Sequence, residues 1–263
     1  VLSTVPNDAS ADPVRDAPAG GALLVVSTPI GNLADITERA VRTLRDADLV
    51  LCEDTRHSRR LLDAIGAKSR VAALHGHNEA RETPRLIARM LAGERMALIS
   101  DAGTPLVSDP GARLVRACAE AGVAVVPVPG ASALLGAVVA SALVDGPFTF
   151  QGFLPRKGKA RQDLLAAASA SPCPSVIFEA GNRVRTTLTD LAEACGSDRR
   201  AAVCRELTKR YEETRRGTVS ELAAYYGEAQ PRGEVVLVIA GADPRASGVT
   251  TDASRALAAE WHT

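Results

Sequence analysis

From residue 23 onward, short apolar runs alternate with segments whose apolar positions recur at helical spacing. The runs fall at 23–27, 48–52, 70–74, 96–100 and 123–128, with helices predicted near 37–46, 57–65, 79–92, 110–121 and 131–142. In the first helix Ile36, Ala40, Val41 and Leu44 share a face, and Thr37 is placed to cap it. Strands joined by helices of this length predict parallel βαβ units. The rhythm breaks at Asp145-Gly146-Pro147, a predicted hinge at 144–148. Beyond it, strands are predicted near 148–152, 174–179, 200–205, 211–217 and 233–240, and helices near 158–170, 182–195 and 218–226. The 205–211 gap is too short for a helical crossover, so this sheet must contain antiparallel neighbours.

The pattern thus predicts an α/β protein of two α/β domains. Residues 22–145 carry a mostly parallel sheet and 146–243 a mixed one. Residues 1–21, rich in Asp, Pro, Ala and Ser, read as a disordered tail. Residues 244–263 read as a linker or the start of a C-terminal extension, with Leu257 and Trp261 at helical spacing.

Composition narrows the picture. Apolar residues make up 46% of the chain but aromatics only 3%, so the core must be Val, Leu, Ile and Ala. Thirty-one basic and thirty-one acidic residues cancel, and any nucleic-acid affinity has to come from local clusters. The five cysteines form no C-x-x-C and read as reduced, buried thiols of a cytoplasmic protein. No apolar run reaches membrane-spanning length, and the opening segment lacks the basic start and apolar block of a secretory signal.

Candidate chemistry sits at strand ends. Ser100-Asp101-Ala102-Gly103-Thr104-Pro105-Leu106-Val107-Ser108-Asp109-Pro110-Gly111 follows an apolar run, at the carboxyl end where open α/β sheets bind ligands. Its small side chains let a ligand approach the backbone, Asp101 adds a charge, and Asp109-Pro110 reads as an N-cap and first helical residue. Ser27-Thr28-Pro29-Ile30-Gly31-Asn32-Leu33 and Pro129-Gly130-Ala131-Ser132-Ala133 are similar junctions. Neither G-x-G-x-x-G nor a Lys-Ser/Thr phosphate loop occurs. Gly130-Ala131-Ser132 superficially suits a nucleophile elbow, but Leu134 replaces the last glycine and only His262 follows, which argues against a serine hydrolase.

Glu53-Asp54-Thr55-Arg56-His57 follows the second strand as a polar cluster that would equally suit a helix start capped by Asp54 or Thr55. His75-Gly76-His77 lacks the further ligands of a metal site, so no metal is expected. Arg156, Lys157, Lys159 and Arg161 place four cations in six positions after Phe153-Leu154-Pro155, a loop able to grip phosphates. Arg205 and Glu206, ahead of Lys209 and Arg210, sit at another strand end.

In this order TPIGNL (28–33), EDTRH (53–57), SDAGTPLVSDPG (100–111), PGAS (129–132), GFLP (152–155), RELTK (205–209) and GEVVLV (233–238) resemble the tetrapyrrole methylase-like, class III S-adenosylmethionine-dependent methyltransferases. The resemblance spans about 23–241, and TPIGNL, EDTRH and RELTK point to the branch that methylates a cytidine ribose 2′-hydroxyl in 16S rRNA. It implies two α/β domains with S-adenosylmethionine in the cleft between them, usually a homodimer acting on 16S rRNA within the 30S subunit. Pro29, Ser100, Asp101, Ala102, Gly103, Leu106, Ser132 and Ala133 would line the cofactor site, with Phe178, Leu207 and Val235 closing over the adenosine. Residues 100–106 and 129–133 must then lie close in space.

The chain departs from the family at Phe178-Glu179-Ala180-Gly181-Asn182-Arg183, where Tyr-Glu-Ser-Pro-His-Arg is usual, leaving Glu179 and Arg183 as candidates there. It also ends before the small C-terminal helical extension of many relatives. For a 2′-hydroxyl nucleophile, Glu53 and Asp54 are the first candidate bases, with Arg56 orienting. Lys209, if buried and deprotonated, is second, and His77 third. Arg59, Arg60, His77, Arg156, Lys157, Lys159 and Arg205 are the expected RNA contacts. A tetrapyrrole C-methyltransferase and a non-catalytic adenosyl-ligand or RNA-binding module are the competing readings.

Overall fold

Five apolar runs of the N-terminal half form a wholly parallel sheet: β1 (Ala22–Val26), β2 (Leu49–Cys52), β3 (Arg70–Ala73), β4 (Arg95–Leu98) and β5 (Ala124–Val128). Their order is β3-β2-β4-β1-β5. These positions come from a computed structural model, which describes residues 20–228, 231 and 233–242. Residues 1–19 of the predicted 1–21 tail, the 244–263 segment, Leu257, Trp261 and His262 lie outside the described residues.

Both faces are covered at the centre of this sheet, which is why β1, β2 and most of β4 read as apolar runs. Ala22, Leu24 and Val26 of β1 point to one side, against Ala40 and Leu44 of α1 (Glu38–Asp46) and Leu62 of α2 (Thr55–Ala64). Leu23 points to the other, against Leu86 and Met90 of α3 (Glu79–Leu91) and Leu114 and Cys118 of α4 (Ala112–Glu120). Thr37 caps α1 as its pattern predicts, accepting from the Ala40 amide at 3.1 Å. The α4 start differs. Its N-cap is Gly111 at φ 120°, with no side-chain cap, so Asp109 and Pro110 belong to the preceding loop rather than the helix. A Cβ on Gly111 would fall 2.7 Å from a Leu98 methyl, so the chain turns where only glycine fits.

The C-terminal half forms a mixed sheet of β6 (Thr149–Phe153), β7 (Ser175–Ala180), β8 (Arg200–Arg205), β9 (Glu213–Thr218) and β10 (Glu234–Ile239). The order is β6-β7-β10-β8-β9. β6 and β7 run parallel, while β10 is antiparallel to β7 and β8, and β8 to β9. One face packs on α6 (Lys159–Ala170), α7 (Val184–Cys195) and α8 (Val219–Glu228) through Leu165, Leu188, Leu191 and Leu222. α5 (Ala133–Ser141) contacts β8 and β10.

The chain divides into two compact units after Ser132. That point precedes the Asp145-Gly146-Pro147 break, because α5, an almost entirely apolar helix (ALLGAVVAS), associates with the second sheet. Cys52, Cys118 and Cys204 are buried, Cys173 and Cys195 partly so, and all are free thiols. Burial pushes Cys118 up to about 11, which makes it a poor nucleophile. No helix among the described residues is long and apolar enough to cross a membrane.

Candidate active site

The strand order aligns the loops after β2, β4, β1 and β5 along one edge of the first sheet, at the strands' carboxyl ends. Thr28 and Gly103 form an isolated antiparallel bridge, with N···O distances of 2.8 and 3.0 Å. Ser27 Oγ donates to Thr104 Oγ1 at 3.1 Å, and Thr104 Oγ1 donates to the Ala131 carbonyl, also at 3.1 Å. One threonine therefore ties the 27–31, 100–106 and 129–131 segments together, the proximity that a shared cofactor site requires. Glycines allow this approach. A Cβ on Gly130 would lie 3.0 Å from the Ser27 Cβ, and one on Gly103, at φ 82°, 3.1 Å from Ile30.

Five non-glycine residues among those described have positive φ, and four of them lie in two predicted ligand loops: Leu106 (75°), Ser108 (71°), Glu206 (49°) and Thr208 (67°). Backbone strain of this kind persists only where surrounding structure enforces it, and it concentrates at functional sites.

Beside the cofactor loops stand the acidic residues. Glu53 and Asp54 are exposed after β2, and the Asp54 amide approaches Asp101 Oδ1 at 3.4 Å. Asp54 itself is the α2 cap, accepting from the Arg56 amide at 2.8 Å and the His57 amide at 3.3 Å. These bonds hold its carboxyl below the usual range, so it is a weaker proton acceptor than a free carboxylate. Among the described residues Glu53 carries no such bond. Asp109, which sequence reasoning treated only as a cap, is half-buried and raised to about 6. Burial is the main cause; a hydrogen bond with Ser100 opposes it, and the Glu53 and Asp101 charges add to it. Arg56, His57 and Arg60 are exposed, Arg59 half-buried. His75 and His77 pack edge-on with centroids 6.0 Å apart. Among the described residues no group of three His, Cys, Asp or Glu is placed to hold a metal.

The second unit corrects several expectations. Lys209 Nζ lies 3.0 Å from Glu206 and 3.1 Å from Glu234. Partial burial pulls its pKa down, but the two carboxylates outweigh that and the net shift is upward. Lys209 is therefore a charged clamp on the 206–209 loop, not a neutral base. Arg205 pairs with Glu213 at 3.0 Å, so its charge is already engaged. Arg161 is not part of a solvated cation cluster. It is buried, bonds Asp190 at 2.6 and 2.8 Å, Thr187 at 3.0 Å and the Pro155 carbonyl at 3.0 Å. Arg156, Lys157 and Lys159 remain exposed. Glu179 is buried, accepts from Thr187 at 2.7 Å and pairs with Arg183 at 3.3 Å, so each is engaged by its neighbours. Phe178 is half-buried and Leu207 nearly buried. Val235 packs into the core, on a strand flanked on both sides.

The profile described as Tetrapyrrole (Corrin/Porphyrin) Methylases matches residues 22–223. The chain belongs to the tetrapyrrole methylase family. Among curated relatives, a "Ribosomal RNA small subunit methyltransferase I" of Mesorhizobium japonicum is 50% identical over 230 residues, 87% of this chain and 78% of that protein. One of the same name from Escherichia coli O157:H7 is 44% identical over 240 residues, 90% of this chain and 84% of that protein. A uroporphyrin-III-C-methyltransferase structure from Thermus thermophilus shares the fold at TM-score 0.58 and 24% identity, covering 84% of this chain and 94% of that one. A diphthine synthase structure does so at TM-score 0.62 and 16% identity, covering 83% and 90%.

Proposed function

We propose that this methyltransferase uses S-adenosylmethionine to methylate the ribose 2′-hydroxyl of a cytidine in the 16S rRNA of the small subunit's decoding region. What carries the reading is the 50% identity, over 87% of the chain, to a relative named for small-subunit rRNA methylation. The convergence of the three loops tied by Thr104 supports it. The working form we propose is a cytoplasmic homodimer acting on the 30S subunit.

The residues present fit the cofactor. Gly103 and Gly130 let the three loops pack against one another, Ala102 is small and exposed, and the exposed Asp101 offers a negative charge to a cationic ligand. Pro29, Ser100, Leu106, Ser132 and Ala133 would complete the set. When bound, S-adenosylmethionine supplies a methyl group already activated on a sulfonium. The chain's own work is then to orient the acceptor and take its proton. Glu53 is the preferred proton acceptor, because Asp54 is committed to capping and Lys209 to its two carboxylates. Arg56 orients Glu53 or a neighbouring phosphate, while Arg59, Arg60, His77, Arg156, Lys157 and Lys159 contact RNA. Such contacts give a steep salt dependence despite the neutral net charge.

The test is to offer labelled S-adenosylmethionine together with 30S subunits, free rRNA or uroporphyrinogen. Label in RNA supports the proposal. Label in the macrocycle supports a tetrapyrrole C-methyltransferase, and none a non-catalytic binding module. Glu53→Gln should then slow transfer by about 10²–10⁴-fold, the usual worth of a general base. Wild-type turnover in Glu53→Gln, Asp54→Asn, Arg56→Gln and Lys209→Gln alike would refute the assignment.

A further inference from the structure

Edge strand β6 contains an irregularity that sets the direction of one aromatic ring. Phe150 is in register with Val176 but Phe153 with Phe178, so three steps along β6 match two along β7. Gly152 absorbs the extra residue at φ 66°. In a regular strand Phe150 and Phe153 would point to opposite faces. The bulge instead brings both rings edge-on to Phe178, at centroid distances of 4.8 and 5.5 Å. Phe178 is half-buried by this, yet Phe153 stays 57% exposed. Aromatics are only 3% of the chain, which makes a bulge that presents one to solvent notable.

The same segment runs directly into Arg156, Lys157 and Lys159, all exposed, none of which forms an ion pair among the described residues. Its base is firmly mounted. Arg183 donates to the Leu154 and Pro155 carbonyls at 2.8 and 3.2 Å, and Arg161 to Pro155 at 3.0 Å. Both guanidiniums are fixed in turn, by Glu179 and by Asp190 with Thr187. Ring and cations therefore stand on a common fixed base. An open aromatic face beside uncompensated cations suits a flat, anionic ligand. S-adenosylmethionine carries net positive charge and does not match, whereas an unpaired base on a phosphodiester chain does.

We propose that Phe153 is a stacking face for one unpaired base of the RNA substrate, with Arg156 and Lys157 engaging the flanking phosphates. This rests on the reading of RNA as substrate. The test measures binding of the full chain to a short fluorescent single-stranded oligoribonucleotide and to its blunt duplex, by anisotropy across a salt series. Phe153→Ala should weaken single-strand binding about tenfold, within the range typical of lost base stacking, and leave the duplex unchanged. Phe153→Trp should retain it, with thermal melting confirming that both variants fold. Arg156→Gln with Lys157→Gln should weaken both ligands and flatten the salt dependence.

Unchanged single-strand affinity in Phe153→Ala, or equal losses on both ligands, overturns the proposal. So does a loss of S-adenosylmethionine affinity with RNA binding intact, which would assign the ring to the cofactor. The activity reading fails separately: if wild type labels no RNA while Phe153→Ala selectively loses single-strand binding, the stacking face stands and the reaction does not.

Discussion

Asp109→Asn should stabilise this protein at neutral pH, and the gain should disappear in acid. In the folded chain the Asp109 carboxyl titrates at about 6 rather than 3.8, chiefly because it is half-buried, with Glu53 and Asp101 adding repulsion that Ser100 only partly offsets. The folded state therefore binds a proton between these values that the unfolded state has released. Its contribution is fully present below about pH 4 and is lost as the pH rises through about 6. The gap corresponds to on the order of 3 kcal/mol, which solvent screening of a half-buried site reduces to about 2 kcal/mol. An isosteric, uncharged Asn escapes that cost. Urea unfolding of both proteins, followed by far-ultraviolet circular dichroism from pH 4 to 8, reads the difference, since titrating groups distant from Asp109 cancel. The variant should gain about 2 kcal/mol on wild type between pH 4 and 7, with unchanged urea dependence. A difference that does not vary with pH, or that favours wild type increasingly as pH rises, would show that the Asp109 carboxylate carries no burial cost.

Arg161→Met should cost about 3 kcal/mol, the low end for a broken buried pair because Asp190 is 30% exposed and can rehydrate. Differential scanning calorimetry should show the melting temperature fall by about 6–12 °C for a chain of this size. Thr104→Val removes the link between Ser27 and Ala131 and should weaken S-adenosylmethionine binding several-fold by titration calorimetry, with Thr104→Ser restoring it. Asp54→Ala should destabilise the start of α2, seen as faster amide exchange at Arg56 and His57, while leaving methyl transfer within a few-fold of wild type.

Much of the architecture was legible because its causes are local. A strand buried on both faces must be apolar throughout, so β1, β2 and β4 stand out, and the short 205–211 interval forces β8 and β9 to be antiparallel. The convergence of strand-end loops followed from the same logic. What periodicity cannot report is the partner a side chain finds across the fold. Arg161 looks like its cationic neighbours until α7 brings Asp190 and Thr187 to it. Lys209 reads as a possible neutral base until β10 supplies Glu234. Asp109 suggests a cap because Pro110 follows, yet Gly111 takes the turn and leaves the carboxyl half-buried beside other acids. The bulge at Gly152 is likewise invisible without β7 alongside to set the register.

Whether the methyl group reaches a ribose oxygen is read out by nucleoside mass spectrometry. Unmethylated small-subunit RNA, treated with the protein and S-adenosylmethionine and digested to nucleosides, should yield cytidine carrying the added mass on its sugar, with an unmodified base. A methyl group on the cytosine ring, or no methylated nucleoside from either free or subunit-bound RNA, would rule out ribose 2′-O-methylation by this protein.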